Sequence, residues 1–293
     1  MQSLWMLAAS FFFALMGMFI KLAGTQHNLG EIVFFRGVPS VLAIGFFALY
    51  HHYPLLGDQL KTHARRNISG VTSMWLGAYS TTLLPLGTAS TLKYTSPLFI
   101  AAALLFQSYY PGILRQQWLR FGALGLGFIG VLLICNPFVD NGLHSGALFA
   151  ALMSGLMGAT AYLTVRSLGK LGEPEWRTVL LFSTSVLLTG AVGVGLLGIS
   201  SYTWTSFGYL MGIGLSGLFG QLCMTRAFSR GSATLAATLQ YSGIIFSAML
   251  GYWIWLETVD TIGFMGISLV IISGLAATWY VRNLRSAPNT SKG

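Results

Sequence analysis

The sequence predicts an all-α membrane protein with ten transmembrane helices arranged as two inverted five-helix repeats. Three observations support this prediction. First, 54% of the 293 residues are hydrophobic and only 8% are charged, whereas about a quarter of the residues of a soluble domain are charged. Second, apolar runs fill the chain from residue 4 to residue 281 with short interruptions. Third, short patterns of the first half recur in the second half.

The apolar runs have the length of membrane-spanning helices, each of which requires about 20 mainly apolar residues. They are continuously apolar and lack the alternation typical of outer-membrane barrel strands. No soluble domain is expected. The predicted spans are 3–23, 31–50, 67–86, 89–108, 118–135, 145–166, 177–198, 205–226, 232–254 and 260–281.

The basic residues predict the orientation of these spans. With ten spans both termini lie on one side, and a cytoplasmic placement puts thirteen of the sixteen Lys and Arg at cytoplasmic loops or helix ends. Lys21, Arg36 and Lys93 fall inside predicted helices instead. This asymmetry explains the high pI of the chain, so binding to nucleic acid is not needed to account for it. It also predicts a bacterial inner membrane protein with cytoplasmic termini. The cytoplasmic set is Lys61, Arg65, Arg66, Arg115, Arg120, Arg166, Lys170, Arg177, Arg226, Arg230, Arg282, Arg285 and Lys292.

An internal repeat accompanies this pattern. The tripeptide Leu-Met-Gly at 15–17 recurs at 156–158, and residues 89–94 resemble residues 236–241. Each half therefore contains five helices, and an odd number gives the second copy the opposite orientation in the membrane. Inverted repeats are typical of alternating-access carriers that hold the substrate near the midplane. The predicted repeats are 1–140 and 141–293, the second with a short cytoplasmic tail.

The chain resembles a known family at several segments. Leu86-Gly87-Thr88-Ala89 leading into Tyr94-Thr95-Ser96-Pro97-Leu98, together with segments 226–241 and 255–257, is similar to the EamA family of the drug/metabolite transporter superfamily. Segments 31–37 and 164–166 resemble the branch related to solute carrier 35 G-type proteins. The resemblance implies export of amino acids, opine-type metallophores, nucleosides, organic anions or drugs. The acidic residue usual after the fourth helix is missing at 110–112, whereas the second half keeps Glu257.

Two cations inside predicted helices are the first candidates for substrate binding, because an ionisable side chain in the bilayer core is costly and marks a pathway or a partner. Lys93 precedes Pro97 by four residues, and proline frees the carbonyl of Lys93. Arg36 can hold a carboxylate with two parallel hydrogen bonds. The structural alternatives are that Lys93 reaches the outer interface and that Arg36 pairs with Glu31 or a helix-end carbonyl.

Further candidates are polar or aromatic residues within the predicted helices. Neutral Gln240 is the repeat equivalent of Lys93, so a carboxylate between the halves would meet a cation on one side and an amide on the other. Packing is the alternative for each aromatic residue. The substrate-binding candidates are Arg36, Lys93, Tyr94, Gln240, Tyr241, Trp75, Tyr79 and Gln221.

Several kinds of chemistry lack a signature in this sequence. His27, His51, His52, His63 and His144 all fall in predicted loops, so neither intramembrane hydrolysis nor a buried metal site is expected. Phosphate-binding and dinucleotide fingerprints are absent, and no cofactor is expected. The cysteines, 135 and 223, lie on opposite sides of the predicted topology, so no disulfide is expected. Glu257 and Asp260 are interpreted as mainly structural, with Asp260 capping the tenth helix.

These observations predict a secondary transporter, in the direction of export, for a small carboxylate-bearing or zwitterionic metabolite, and not an enzyme. An amino acid, an opine-type metallophore or an organic anion fits this class. The alternatives are an exporter of cationic or neutral drug-like compounds and, further removed, a channel or scaffold. The expected partners are a small-molecule substrate and the lipid bilayer.

Overall fold

The computed structural model describes residues 2–107, 122, 125–127, 129–131, 133, 144–258 and 260–286. The described residues form helices and turns. Most of the predicted fifth span, the 110–112 segment and Cys135 lie outside them. A 3-10 turn at Gln2–Leu4 precedes the helices α1 (Trp5–Ala23), α2 (Leu29–Tyr50), α3 (Leu60–Leu83), α4 (Leu86–Lys93), α5 (Ser96–Gln107), α6 (Ser145–Lys170), α7 (Glu175–Leu197), α8 (Trp204–Arg230), α9 (Ala233–Leu239), α10 (Ser242–Trp255) and α11 (Thr261–Ser286).

The helices confirm the predicted all-α membrane class. Within the described ranges, five helices are long and apolar enough to cross a bilayer, with mean hydropathy between 1.3 and 2.0. Large apolar side chains such as Phe46, Leu188 and Leu196 are more than half exposed on their outer faces, as expected of surfaces that lipid covers. The five are Gln2–Ala23, Leu29–Tyr50, Ser145–Lys170, Glu175–Leu197 and Trp204–Arg230. The total of ten spans stays a prediction.

Helix packing follows a two-fold pattern. In the predicted repeat, α1 is equivalent to α6, α2 to α7, and α3 to α8. The most extensive contacts are α1 against α8, α3 against α6, and α2 against α7. Exchanging equivalent helices converts the first contact into the second and leaves the third unchanged. This is the packing expected of two inverted repeats around a shared axis.

The predicted fourth and ninth spans are each broken at the same place in the repeat. The first break separates α4 from α5 at Tyr94, and the second separates α9 from α10 at Tyr241. At each break a hydroxyl donates to the carbonyl three residues earlier: Thr95 Oγ1 to Leu92 O at 2.6 Å, and Ser242 Oγ to Leu239 O at 2.7 Å. Such bonds compete with the helical ladder and bend helices.

The first break fits against α6 because glycine stands opposite it. A Cβ at Gly155 would lie 2.6 Å from Thr95 Oγ1 and 3.0 Å from the carbonyl oxygens of Leu92 and Lys93. A side chain there would push the broken helix away from α6. Gly155 thus allows the residues around Lys93 to reach the centre of the bundle.

Candidate functional site

A cavity of about 80 Å³ lies at the centre of the bundle, between α1, α3, α6 and α8 and beside the first helix break. The two-fold packing brings these four helices together, so residues from both halves of the chain line the same space. Its polar or charged lining residues are Arg36, Arg66, Ser73, Lys93, Tyr94, Ser96, Ser154, Tyr162 and Gln221. The remainder of the lining is apolar or glycine.

Arg36 lies about two turns into α2, with only 1% of its surface exposed. Its Nη2 donates to Gln221 Oε1 at 3.5 Å, while Nε and Nη1 have no hydrogen-bond partner among the described residues. Gln221 comes from α8, in the other half of the chain. The guanidinium therefore faces the cavity with two donors unpaired among the described residues, and Gln221, its described hydrogen-bond partner, also lines that cavity.

Glu31 does not pair with Arg36, although such a pair was one of the two structural alternatives for the arginine. Its carboxylate accepts bonds from Ser200 N at 3.0 Å, Ser200 Oγ at 2.6 Å, Tyr202 OH at 2.7 Å and Asn28 N at 3.1 Å. Burial and these bonds to Glu31 raise the pKa of Tyr202 to about 12, so the phenol stays protonated and donates. Glu31 thereby ties the start of α2 to the α7–α8 loop.

Lys93, the last residue of α4, lines the cavity instead of reaching outward to the interface. Its stem lies beside α3: a Cβ at Gly77 would lie 3.2 Å from Lys93 Cδ and 3.9 Å from Nζ. In the part of the chain that the structure describes, Nζ has neither a hydrogen bond nor an ion pair. The structure thus places a lysine in the centre of the bundle with no counter-charge among the described residues.

Arg66 is a third cavity cation that the sequence did not single out. It was expected just outside the third span, which was predicted to begin at residue 67, but α3 begins at Leu60 and carries Arg66 inward. The side chain is 2% exposed, and its guanidinium carbon lies 3.7 Å from the ring centroid of Phe182. Neither Nε nor Nη1 has a described hydrogen-bond partner.

The spacing of polar and small residues along α3 was the available signal for Arg66. Arg66, Gly70, Ser73 and Gly77 recur every three or four residues and all line the cavity. Arg65, one position away, is exposed. The helix therefore directs one arginine of the Arg-Arg pair to the cavity and the other away from it.

The remaining predicted site residues divide into two groups. Tyr94 and Gln221 line the cavity. Gln240 lies immediately behind it, because its Nε2 donates to two lining residues, to Ser96 Oγ at 3.0 Å and to Tyr162 OH at 3.3 Å. Tyr162 was not predicted from the sequence. It lines the cavity, and it accepts a hydrogen bond from Gln240, the repeat equivalent of Lys93.

Three other predicted site residues neither line this cavity nor donate a described hydrogen bond to its lining residues. Trp75 turns toward α7 and donates from Nε1 to Thr189 Oγ1 at 3.3 Å. Tyr79 is 40% exposed, and Tyr241 is buried in an apolar cluster with its hydroxyl unpaired among the described residues. The i, i+4 spacing of Trp75 and Tyr79 predicted a shared helix face, but not which neighbour that face meets.

The acidic residues that the structure describes all lie away from the cavity lining. Glu173 and Glu175 pair with Arg177 and Arg230 at the junctions of helices, and Asp260 accepts from Gly263 N at 2.9 Å as the predicted helix cap. No cluster of three His, Cys, Asp or Glu that could hold a metal occurs within the described ranges. The central cations are therefore not balanced by any described carboxylate.

The histidines are less uniformly in loops than the sequence predicted. His63 lies within α3, 2% exposed, with Nε2 3.2 Å from Glu173 Oε1. His27 precedes α2 but is only 5% exposed, beside Glu31 at 3.3 Å. Both pairs lie at helix ends and do not line the cavity.

An ionic contact joins the two halves of the chain at the predicted outer side. Lys21 Nζ at the end of α1 pairs with Glu257 Oε1 after α10, and it also donates to Leu84 O at 2.9 Å. The other Glu257 oxygen accepts from Leu86 N at the start of α4, at 2.8 Å. Glu257 thus connects α1, α4 and α10 on one side of the cavity.

Comparison with known proteins shows similarity to membrane transporters. Residues 144–279 match the EamA-like transporter family. The pseudopaline exporter CntI of Pseudomonas aeruginosa is 29% identical over 92% of each chain. The S-adenosylmethionine uptake transporter of Rickettsia prowazekii is 23% identical over 93% of this chain and 90% of its own length.

A solved crystal structure shares the fold over 95% of this chain and 99% of that chain, with a TM-score of 0.62 at 16% identity. The similar proteins that carry functional names are transporters of small molecules, one named for export and one for uptake. The finer resemblance to the solute carrier 35 G-type branch stays a prediction. The chain is a multi-pass membrane protein that is similar to small-molecule transporters over more than nine tenths of its length, and its residues 144–279 match the EamA-like transporter family.

Proposed function

We propose that this transporter is a secondary carrier that exports a small carboxylate-bearing or zwitterionic metabolite by alternating access. An amino acid, an opine-type metallophore and an organic anion belong to this class. The observation that carries the proposal is the central cavity, where Arg36 and Lys93 meet without a described carboxylate. Buried charges in proteins are normally paired, so the missing partner of these cations is the substrate.

Export is favoured by the relative named as an exporter, which is more similar to this chain than the relative named for uptake. Because another relative is named for uptake, the direction of transport has to be measured separately from the identity of the substrate. Alternating access is favoured by the two-fold helix packing and by the equivalent breaks at Tyr94 and Tyr241. Broken helices at a repeat interface are a recurring design of carrier binding sites.

The proposal includes the membrane arrangement. We infer two inverted repeats, residues 1–140 and 141–293, in a bacterial inner membrane with both termini in the cytoplasm. Moving Arg66 from the cytoplasmic set into the cavity leaves the orientation argument intact, because the segments expected outside contain neither Lys nor Arg. A reporter that is active only in the cytoplasm should give a signal when it is fused after Gly293. A signal from a reporter that is active only in the periplasm would overturn the orientation.

The rival function is export of cationic or neutral drug-like compounds. A cation in this cavity would lie close to Arg36 and Lys93, and like charges in a site of low dielectric repel strongly. The described lining offers no carboxylate to offset that repulsion. The geometry therefore favours the anionic class.

The test is counterflow in proteoliposomes that contain the purified chain. Labelled malate, labelled glutamate and labelled tetraphenylphosphonium are each offered to vesicles preloaded with the same unlabelled compound. The proposal predicts saturable accumulation of malate or glutamate and none of tetraphenylphosphonium. Accumulation of the cation alone would establish the rival function, and flux without saturation or counterflow would indicate a channel.

A further inference from the structure

We infer that the substrate carries at least two acidic groups and a net negative charge, and that Arg66 binds one of these groups. This inference rests on the proposed function and narrows it, because it separates multivalent anions from monocarboxylates and zwitterions. The carrying observation is the convergence of three cations, Arg36, Arg66 and Lys93, on one cavity.

The three cations come from three different helices, α2, α3 and α4. Arg36 and Arg66 are 1% and 2% exposed, and Lys93 is partly buried against Gly77. One monovalent anion would leave two of these charges uncompensated in a site shielded from water. Two or three acidic groups on one ligand would neutralise most of the charge.

Hydrogen bonding leads to the same substrate class. Arg36 Nε and Nη1 and Arg66 Nε and Nη1 are buried donors with no described partner. The Gln221 amide adds another donor: its oxygen already accepts from Arg36, and its Nε2 is unpaired among the described residues. An arginine can only donate, so each of these groups needs an acceptor.

Two of the hydroxyl groups nearby add further donors. Tyr162 OH and Ser96 Oγ each accept from Gln240 Nε2, which leaves both hydroxyl protons free to donate. Ser73 and Ser154 each donate to the other's backbone carbonyl at 2.8 Å, so their protons are used and their oxygens are neutral acceptors in the lining. A ligand that consists mainly of acceptor oxygens therefore fits this lining.

The ammonium group of a zwitterion fits the lining poorly. It would be repelled by the three cations, and the described lining offers it neutral hydroxyl oxygens but no carboxylate. Each arginine, by contrast, presents a planar fork that matches a carboxylate or a phosphate. The stacking of Arg66 on Phe182 at 3.7 Å fixes the plane of its fork before any ligand binds.

The experiment is thermal unfolding of the full chain in detergent at constant ionic strength, with lactate, malate, citrate, pyrophosphate and glycine as probes. The expected result is a rise in Tm of at least about 2 °C with malate and a larger rise with citrate, but none with lactate or glycine. Stabilisation by pyrophosphate would indicate that the site accepts phosphate groups, and stabilisation by malate and citrate would indicate that it accepts carboxylates. Either result supports a multivalent anion.

The matched variants are Arg66→Gln, Lys93→Gln and Arg226→Gln. Arg226 is the control because it donates to Gln2 and stacks on Trp5 outside the cavity. Each of the first two variants should weaken citrate binding at least about tenfold, the effect of losing one charge-assisted hydrogen bond. Arg226→Gln should bind citrate like the native chain. Two cavity variants keep the test valid if one of them fails to fold.

The outcomes separate this inference from the proposed function. Equal stabilisation by lactate or glycine and by citrate would overturn the multivalent inference and leave a carrier of monocarboxylates or zwitterions. Citrate binding that survives both cavity variants would remove Arg66 and Lys93 from the site and overturn the inference as well. If none of the anions stabilises the chain, the multivalent inference fails, and if tetraphenylphosphonium alone also shows counterflow in proteoliposomes, the proposed function fails with it.

Discussion

Gly217 on α8 provides a test of the site that leaves every charge in place. A Cβ at this position would lie 2.4 Å from Arg36 Nε and 2.6 Å from both Cδ and Cζ. Ordinary contact begins at about 3.4 Å, so Gly217→Ala forces the guanidinium to withdraw by about 1 Å. The bond from Arg36 to Gln221, already 3.5 Å long, would then break.

The expected effect is a loss of anion binding with little loss of stability. A misplaced charge-assisted hydrogen bond costs about 1.5–3 kcal/mol, which corresponds to roughly ten- to a hundredfold in affinity. Stability should change less, because the tip of an arginine can move and alanine favours a helix over glycine by about 1 kcal/mol. The assay is the citrate concentration dependence of Tm, followed by malate counterflow in proteoliposomes.

Gly208→Ala is the matched control, since it lies on the same helix with nothing within 4 Å of the added methyl group. It should bind citrate like the native chain and unfold at the same or a slightly higher temperature. If Gly217→Ala folds and also binds citrate with native affinity, the guanidinium of Arg36 does not contact the anion. The assignment of Arg36 to the site would then be wrong.

Three further predictions concern stability. Arg66→Met should raise the Tm of the ligand-free chain or leave it unchanged, because it removes an uncompensated buried charge; a fall of several degrees would indicate a structural role instead. Glu31→Gln should lower Tm, because the bonds from Ser200 and Tyr202 lose a charged acceptor, each worth about 1.5–3 kcal/mol, while the preference for citrate over lactate is retained. Glu257→Gln should lower Tm because Lys21 loses its carboxylate partner and keeps only the bond to Leu84 O, and an unchanged Tm would show that this ionic contact does not stabilise the outer side.

The sequence predicted the helical class, the repeat and two of the three central cations because these depend on composition and local spacing. Lys93 and Gln240 were identified as repeat equivalents, and the structure has a helix break beside each of them. The cavity position of Arg36 followed from the cost of placing a charge inside a bilayer. Local arguments sufficed in these cases because the signal lay within single segments.

Arg66 was missed because the third span was taken to begin where its apolar run begins. A helix that borders a polar cavity can carry charged residues several turns inward, since its inner face meets no lipid. Trp75 and Tyr79 show the complementary difficulty: their spacing fixes a shared helix face, but the packing of α3 against α6 and α7 decides where that face points. Tertiary contacts of this kind are not encoded in any one segment.

The most direct test of the central claim is a crystal structure of the full chain with bromosuccinate, whose bromine gives an anomalous signal. We expect an anomalous peak from bromosuccinate in the central cavity, with its two carboxylates bound by Arg36, Arg66 and Lys93. A peak elsewhere, with these three side chains paired to protein groups, would contradict the assignment of the cavity as the anion-binding site.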